Sequence, residues 1–295
     1  MHRRRTSSLI AGRTVPQPIW NSPPTRPSPP SSLRLVTWNV NSATYSQLRL
    51  RCILTYLGTL IRPHGVGPIE PCCILLQEVS LNALDFLLTM DWVLNDFLII
   101  PAGSVQWPRG AQYGNVTLIS KNIPFVAGQW LDFAASSMGR NALITDVAVR
   151  HSQSGRTLTL RIANTHLESL PENALIRAAQ LSYIAEKLRR PTVHGGVVAG
   201  DMNAICPNDQ VIHRQAGLVD AHPGPENERS FTWGYQPRTA FPPGRLDRMY
   251  FTPQRMSWDS VQLKVDEPSR IGMGLQAGNL WASDHYGLMS TVRFL

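Results

Sequence analysis

The chain has 295 residues, of which 43% are hydrophobic and 16% charged. This balance supports a sizeable core and excludes a disordered polyelectrolyte, and no stretch reaches the roughly 18 continuous apolar residues of a membrane-crossing helix. The formal net charge of +8 invites a polyanionic partner, but residues 1–33 hold Arg3, Arg4, Arg5, Arg13 and Arg26 without one acid, leaving 23 basic against 20 acidic side chains, or +3, for the rest. Total charge therefore does not by itself make the body a nucleic-acid binder.

In chain order, residues 1–32 are rich in Arg, Ser and Pro. They bury too little apolar surface to offset ordering entropy, so a disordered or extended tail is expected, with the folded unit over 33–295. The acid-free start reads as a mitochondrial transit segment, a nuclear-import patch or a plain solvated tail, and no apolar stretch of secretory length follows it. From Leu33 short apolar runs alternate with helical patterns. Leu33–Val40 reads as a strand, Tyr45–Leu60 as a helix, Cys73–Gln77 as a strand and Leu81–Leu94 as a helix. Phe97–Pro101, Tyr113–Ser120, Pro124–Leu131, Ala142–Arg150 and Thr157–Thr165 follow as strands, the last two joined by a hairpin turn at Ser152–Arg156. A helix over Glu172–Arg190 is bracketed by Pro171 and Pro191. Strand Gly196–Gly200, a short helix Asp209–Ala216, and strands near Arg248–Phe251, Ser260–Val265 and Tyr286–Phe294 complete the reading. Mixed strand and helix without a regular βα repeat implies one α/β sandwich rather than a doubly wound sheet. Cys52, Cys72, Cys73 and Cys206 have neither zinc-site nor disulfide-framework spacing, which fits a reducing intracellular compartment.

The polar residues at the ends of these apolar runs carry the chemistry. Asn39 closes the first strand, Glu78 follows the second, His166 follows Thr157–Thr165, and Asp201 and Asn203 follow Gly196–Gly200. Asp247 precedes Arg248–Phe251, and Ser283-Asp284-His285 precedes the last strand. Strand ends converge on one edge of a sheet, where such groups can serve a metal and a phosphate. In Gly200-Asp201-Met202-Asn203 the period of two points Asp201 and Asn203 the same way: the carboxylate can take a proton from water while the amide orients it. The blander reading is an Asx-turn. Asp284-His285 could bind a metal, fix an imidazole tautomer, or place His⁺ on a phosphoryl oxygen, or be a chance pair in a loop. Glu78 and Asn39 are oxygen donors suited to Mg²⁺, although a Glu after a strand is usually solvated. His166 could meet a phosphate, although a strand His is more often a core residue.

Taken in order, T-W-N, L-Q-E-V, M-G-R-N, N-T-H-L-E-S, G-D-M-N, F-T-W, L-D-R and S-D-H-Y-G-L resemble the endonuclease/exonuclease/phosphatase superfamily over roughly Leu33 to Leu295. N-T-H-L-E-S, the Arg140-Asn141 step and Phe231-Thr232-Trp233 are similar to its tyrosyl-DNA phosphodiesterase branch. The resemblance implies a four-layer α/β sandwich, with two packed mixed β-sheets flanked by helices. It also implies a Mg²⁺-dependent (or Mn²⁺-dependent) phosphodiesterase that hydrolyses 5′-phosphotyrosyl bonds at DNA ends, in a monomer that does not bind membranes and resides in the nucleus; the Arg-rich, acid-free start makes the mitochondrion the other compartment. An abasic-site endonuclease, an RNA nuclease and a lipid or inositol phosphate hydrolase are the alternatives within the superfamily.

By the same resemblance Glu78 is the main metal ligand, with Asn39 beside it and Asp284 near it. Asp201 activates water, Asn203 holds the scissile phosphate, and His285, steadied by Asp247, stabilises the transition state. His166 and Arg140 neutralise phosphate charge, Ser169 adds a hydrogen bond, Trp233 stacks on the terminal nucleotide, and Tyr113 and Arg248 contact substrate. Arg140, Arg177, Arg245 and Arg248 are expected to build a cationic groove. Two stretches depart from the branch: Asn41-Ser42, where an acidic residue and Gly are usual, and Ala204-Ile205, where a basic–acidic pair is.

Overall fold

The computed structural model describes residues 10–14, 27–62, 67–108, 110–254 and 261–295. Two mixed sheets pack face to face. The first has the order β1 (Ile10–Thr14), β6 (Phe125–Phe133), β7 (Asn141–Arg150), β8 (Thr157–His166), β9 (Gly195–Asp201), β11 (Asp247–Phe251) and β10 (Val219–Asp220), with only β8 and β9 parallel. The second runs β12 (Leu263–Val265), β16 (Gly287–Phe294), β2 (Ser32–Asn39), β3 (Cys72–Ser80), β5 (Tyr113–Ser120) and β4 (Phe97–Ile100), with β13 (Ser269–Ile271) also on β16 and only β2 and β3 parallel.

The period of two decides what lies between the layers. On β7, Leu143, Val147 and Val149 enter the core shared by the two sheets, while Ala142 and Ile144 face the other way. On β9, Val197 and Ala199 enter that core and Val198 faces outward. Helix α4 (Ala174–Leu188) covers the outward face with Leu181, Ile184, Ala185 and Leu188. Helix α1 (Ser46–Leu60) buries Leu50, Ile53, Leu54 and Leu57, the i, i+3, i+4, i+7 stripe, in the core of the second sheet. This is the four-layer sandwich expected from the resemblance.

Two expectations change. Helix Leu81–Leu94 is two helices, α2 (Leu81–Leu87) and α3 (Asp91–Asp96). Ser80 accepts from the Ala83 N–H (3.2 Å) to start the first, and Thr89 turns its hydroxyl back onto the Phe86 carbonyl (2.8 Å) where it stops. In the expected tail, Ile10–Thr14 is not free chain but pairs antiparallel with β6, Ile10 opposite Phe133 and Thr14 opposite Gln129. An open sheet edge offers backbone partners to any extended segment and demands no core from it. The remaining tail arginines and Pro23-Pro24 lie outside the described residues, as does Ser260 at the start of the expected strand Ser260–Val265.

Candidate active site

His166, Asp201 and Asp247 are register partners across the adjacent strands β8, β9 and β11, so their side chains stand in a row at one sheet edge. Gly200 permits this closeness: at φ 152° a Cβ there would sit 1.8 Å from the Thr165 carbonyl oxygen. The facing sheet supplies Asn39 at the end of β2 and Glu78 at a bulge in β3, where the register shifts between Leu76 and Val79. Glu78 takes φ 57°, a conformation that few non-glycine residues adopt, and the bulge re-aims its carboxylate out of the strand alternation. His285 arrives from the loop before β16, tied by backbone pairing to Trp233.

At the centre, Asn39 Nδ2 donates to Asp201 Oδ2 (3.0 Å) and Glu78 Oε1 (3.2 Å), while Asn39 Oδ1 accepts from the Asn41 N–H (3.0 Å). With carboxylates on one end and an N–H on the other, the amide orientation is forced: Asn39 ties two acids together through its nitrogen, and its oxygen keeps a second lone pair beside the Asn41 N–H. Glu78 Oε2 accepts from the backbone and hydroxyl of Ser42, both at 3.1 Å, and Asn41 Nδ2 donates to Asp284 Oδ1 (2.9 Å). The atypical Asn41-Ser42 pair therefore positions two carboxylates.

His285 Nδ1 lies 2.8 Å from Asp247 Oδ2, and its Nε2 lies 3.8 Å from Asp201 Oδ2 and 4.0 Å from Asp284 Oδ2. Burial alone would discharge this imidazole, but Asp247, Asp284 and Asp201 overcome it and hold the ring protonated well above its ordinary range. Burial pushes Asp201 up to about 6, with the charge of His285 pulling it down and that of Asp247 pushing it up, so at neutral pH it is mostly an ionised acceptor. His166 is the opposite case. Burial, then the charges of Arg140 and His285, keep it neutral far below its usual value. Arg140 Nη1, which can only donate, sits 2.8 Å from His166 Nδ1. The ring proton therefore stands on Nε2, 3.4 Å from Asp201 Oδ2.

Arg140 also reaches the Tyr113 hydroxyl (3.4 Å) and lies 5.8 Å from that ring's centroid, and its buried Nε–H has no hydrogen-bond partner among the described residues. An unpaired buried N–H on a cation is poised for an anion. Beside it a cleft of about 300 Å³ is lined by Tyr113, Asn115, Met138, Arg140 and His166. Asn203 takes φ 46° and closes an Asx-turn onto Asp201 Oδ1 (2.9 Å), so the bland reading of G-D-M-N is also realised. Its Nδ2 donates to the Leu167 carbonyl (3.0 Å) and its Oδ1 accepts from Ser169 Oγ (3.3 Å). Trp233 donates from Nε1 to Asp284 Oδ2 (3.1 Å) at the rim.

The expected cationic groove does not form. Arg177 is buried on Asp209 (2.9 and 2.8 Å), Arg245 holds Asp220 with two bonds of 2.7 Å, and Arg248 is 2.7 Å from Glu226 and 3.1 Å from Gln210 Oε1. Arg248 follows Asp247 on the strand, so alternation turns it away from the site, and a buried guanidinium must find acids locally. Of the four, Arg140 alone joins the cluster. Sequence reasoning missed the supports: Ser283 Oγ donates to the Asn39 carbonyl (2.6 Å) and accepts from the His285 N–H (3.0 Å), and Thr232 Oγ1 accepts from the N–H groups of Leu246 and Asp247, both at 3.1 Å. Both sit inside quoted motifs, but nothing in a motif reports a contact to another strand.

Glu78 and Asp284, about a quarter and a third exposed, give oxygen donors with room for water, the set Mg²⁺ or Mn²⁺ takes. Asp201, Asp247 and His285 also gather, their donor atoms within 4.8 Å of one another, but all three are buried and include an imidazole, a set that suits proton holding better than a hard, water-carrying cation.

An endonuclease/exonuclease/phosphatase family model matches residues 36–285. A 5′-tyrosyl-DNA phosphodiesterase of Caenorhabditis elegans is 25% identical over 272 residues, covering 87% of this chain, which spans 66% of that relative's length. A humanized D. rerio TDP2 superposes with a TM-score of 0.67 at 23% identity, covering 89% of this chain and 99% of that one. D. rerio TDP2 complexed with a single-strand DNA product gives 0.67 at 21% with the same coverages. The human Nocturnin catalytic domain with bound sulfate gives 0.58 at 16%, covering 90% and 96%.

Proposed function

Because this chain belongs to the endonuclease/exonuclease/phosphatase family, we propose that it is a divalent-metal-dependent phosphodiesterase acting on 5′-phosphotyrosyl bonds at DNA ends. The observation that carries the reading is the opposed pair of states around Asp201, a protonated His285 on one side and a neutral His166 capped by Arg140 on the other. Asp201 takes the proton of a water whose oxygen attacks phosphorus. The P–O bond to the leaving group breaks, and the leaving oxygen departs with the electron pair. His285 and the free N–H of Arg140 carry the charge that grows on the phosphoryl oxygens. Glu78 and Asp284 would hold Mg²⁺, which supplies further neutralisation of those oxygens when bound. A tyrosyl phenolate, with a pKa of about 10, leaves without a strong general acid, in keeping with a site that offers none beyond His285.

The cleft of about 300 Å³ beside Tyr113 and Arg140 suits an aromatic leaving group. The name of the nematode relative, and the single-strand DNA product bound by the D. rerio protein, favour a DNA end over the other superfamily substrates. A DNA substrate in turn favours the nucleus as the compartment, and the catalytic unit takes in Ile10–Thr14 as an edge strand of its first sheet along with residues 33–295.

The test is release of tyrosine from a 5′-phosphotyrosyl oligonucleotide, with Mg²⁺ or with EDTA, by wild type and Glu78→Ala. Metal-dependent release that falls at least a hundredfold in the variant is expected. Intact substrate alongside turnover of a simple phosphodiester would move the chain to another superfamily substrate.

A further inference from the structure

A second cleft, of about 200 Å³, draws its walls from both sheets and shares no lining residue with the active-site cluster. His222 follows the edge strand β10, Arg245 precedes β11, and Arg229 and Ser230 come from the loop between those strands. Arg270 on β13, with Glu267 just before that strand, contributes the side of the other sheet. The charges around this cleft are not balanced. Arg245 is matched by its two bonds to Asp220, and Glu267 lies 3.2 Å from His222 Nδ1. Arg229 and Arg270 have no carboxylate at ion-pair distance among the described residues. Arg270 is fixed all the same: its Nη1 donates to the carbonyls of Glu228 (2.9 Å) and Phe231 (2.8 Å), and its guanidinium carbon stands 5.4 Å from the centroid of the Tyr286 ring. Carbonyls and a ring face orient a cation without cancelling its charge. Arg229 is presented by a clasped turn, in which the Asn227 N–H donates to Ser230 Oγ (3.0 Å), Ser230 Oγ donates to the Asn227 carbonyl (2.9 Å) and Asn227 Oδ1 accepts from the Arg229 N–H (2.9 Å). Two guanidinium groups without counter-ions on one cleft, with the buried Arg245 in the same lining, repel each other until an anion enters.

We propose that this cleft is a binding site for one phosphate ion, separate from the active site. A tetrahedral oxyanion accepts at several oxygens at once, and a planar guanidinium fork matches two of them, so phosphate engages both arginines by geometry where a halide meets only their charge. Glu267, its side chain 58% exposed, repels a polyanionic strand more than a small ion, which favours inorganic phosphate over a phosphate carried on nucleic acid. The inference stands apart from the phosphodiesterase reading, because it concerns binding and not turnover.

The test uses the full chain in EDTA at neutral pH, with inorganic phosphate as the ligand. Isothermal titration compares wild type with Arg229→Gln, Arg270→Gln and Arg140→Gln, the last removing a guanidinium from the active site. Loss of one charge-assisted contact predicts that Kd rises about tenfold or more in Arg229→Gln and in Arg270→Gln, while a phosphate-binding event of wild-type affinity remains in Arg140→Gln. Arg229 is exposed and its side chain holds no other described residue, so its variant keeps the test sound even where Arg270→Gln disturbs the loop. A second measurement places the ion. Phenylglyoxal modifies accessible guanidinium groups, and phosphate should slow the modification of Arg229 and Arg270 in wild type, read by mass spectrometry of their peptides. Protection at Arg140 alone, binding lost in Arg140→Gln but kept in the other two variants, or equal protection by the same concentration of chloride overturns the proposal. So does protection by an oligonucleotide without terminal phosphates where inorganic phosphate gives none, a result that assigns the cleft to a nucleic-acid backbone.

Discussion

Replacing Glu168 by Gln changes one atom and should cost the protein about 3 kcal/mol. The Glu168 carboxylate is fully buried and accepts five hydrogen bonds: Ser136 Oγ (2.6 Å) and Gln180 Nε2 (3.1 Å) on Oε2, and Ser137 N–H (2.9 Å), Ser137 Oγ (2.8 Å) and Met138 N–H (3.1 Å) on Oε1. Gln180 cannot turn to help, because its Oε1 already accepts from the Glu168 N–H (2.9 Å). An NH₂ in place of Oε2 faces the Gln180 donor, and in place of Oε1 it faces two backbone donors. Either choice leaves a buried N–H unpaired, at about 1–3 kcal/mol, and removes charge-assisted bonds worth about 1.5–3 kcal/mol each, partly recovered as neutral ones. At about 2–4 °C per kcal/mol, Tm should fall by about 6–12 °C.

Activity should fall as well, because the Ser136 hydroxyl that binds Glu168 accepts from the Arg140 N–H (2.7 Å) and so anchors the residue that caps His166. Burial raises the Glu168 pKa, but the bonds from Ser136, Ser137 and Gln180 win, and the group sits below the ordinary carboxylate range. Its contribution is therefore present above the unfolded value of about 4.3 and is lost as pH falls through the lower folded value. Thermal unfolding of wild type and Glu168→Gln from pH 7 to pH 3 should show a full gap at pH 7 that narrows below about pH 4.3. Tm values within about 2 °C at pH 7, or a gap no narrower at pH 3 than at pH 7, would refute the argument.

Asp247→Asn keeps the shape of the His285 partner but removes the nearest charge that keeps the imidazole protonated, so kcat should fall roughly 10²–10⁴-fold with the circular dichroism spectrum unchanged. A loss under threefold in steady-state turnover would take Asp247 out of the mechanism. Arg177→Met strands Asp209 in a fully buried place and should destabilise by about 3–5 kcal/mol in urea unfolding. Adding Asp209→Leu should restore part of that, and a double variant less stable than the single one would show that the pair is not the cause.

Several elements were legible because their cause is local. Helix α1 follows from an apolar stripe one turn apart, and the strands β5 and β7 follow from apolar runs ended by Asn or Gly-rich turns. The split of Leu81–Leu94 was not legible, because the stop depends on how Thr89 folds back onto its own backbone. At the site, Glu78, Asp201, Asp247, His285, His166 and Arg140 could be named from order and type. That the Asn39 amide nitrogen bridges Glu78 and Asp201, or that Arg177, Arg245 and Arg248 are held by acids away from the site, could not: which face a side chain takes depends on strand register, and which acid an arginine meets depends on a partner as much as 32 positions away in sequence.

The sequence by itself determined the chemical inventory: carboxylates and imidazoles at the ends of apolar runs, with several candidate guanidinium groups, because residue type and period need no knowledge of distant chain. The tertiary structure decided the protonation states and the division of labour. The charge on His285 and its absence on His166 follow from desolvation set against particular neighbours at 2.8–4.0 Å, and those neighbours come from different strands of two sheets.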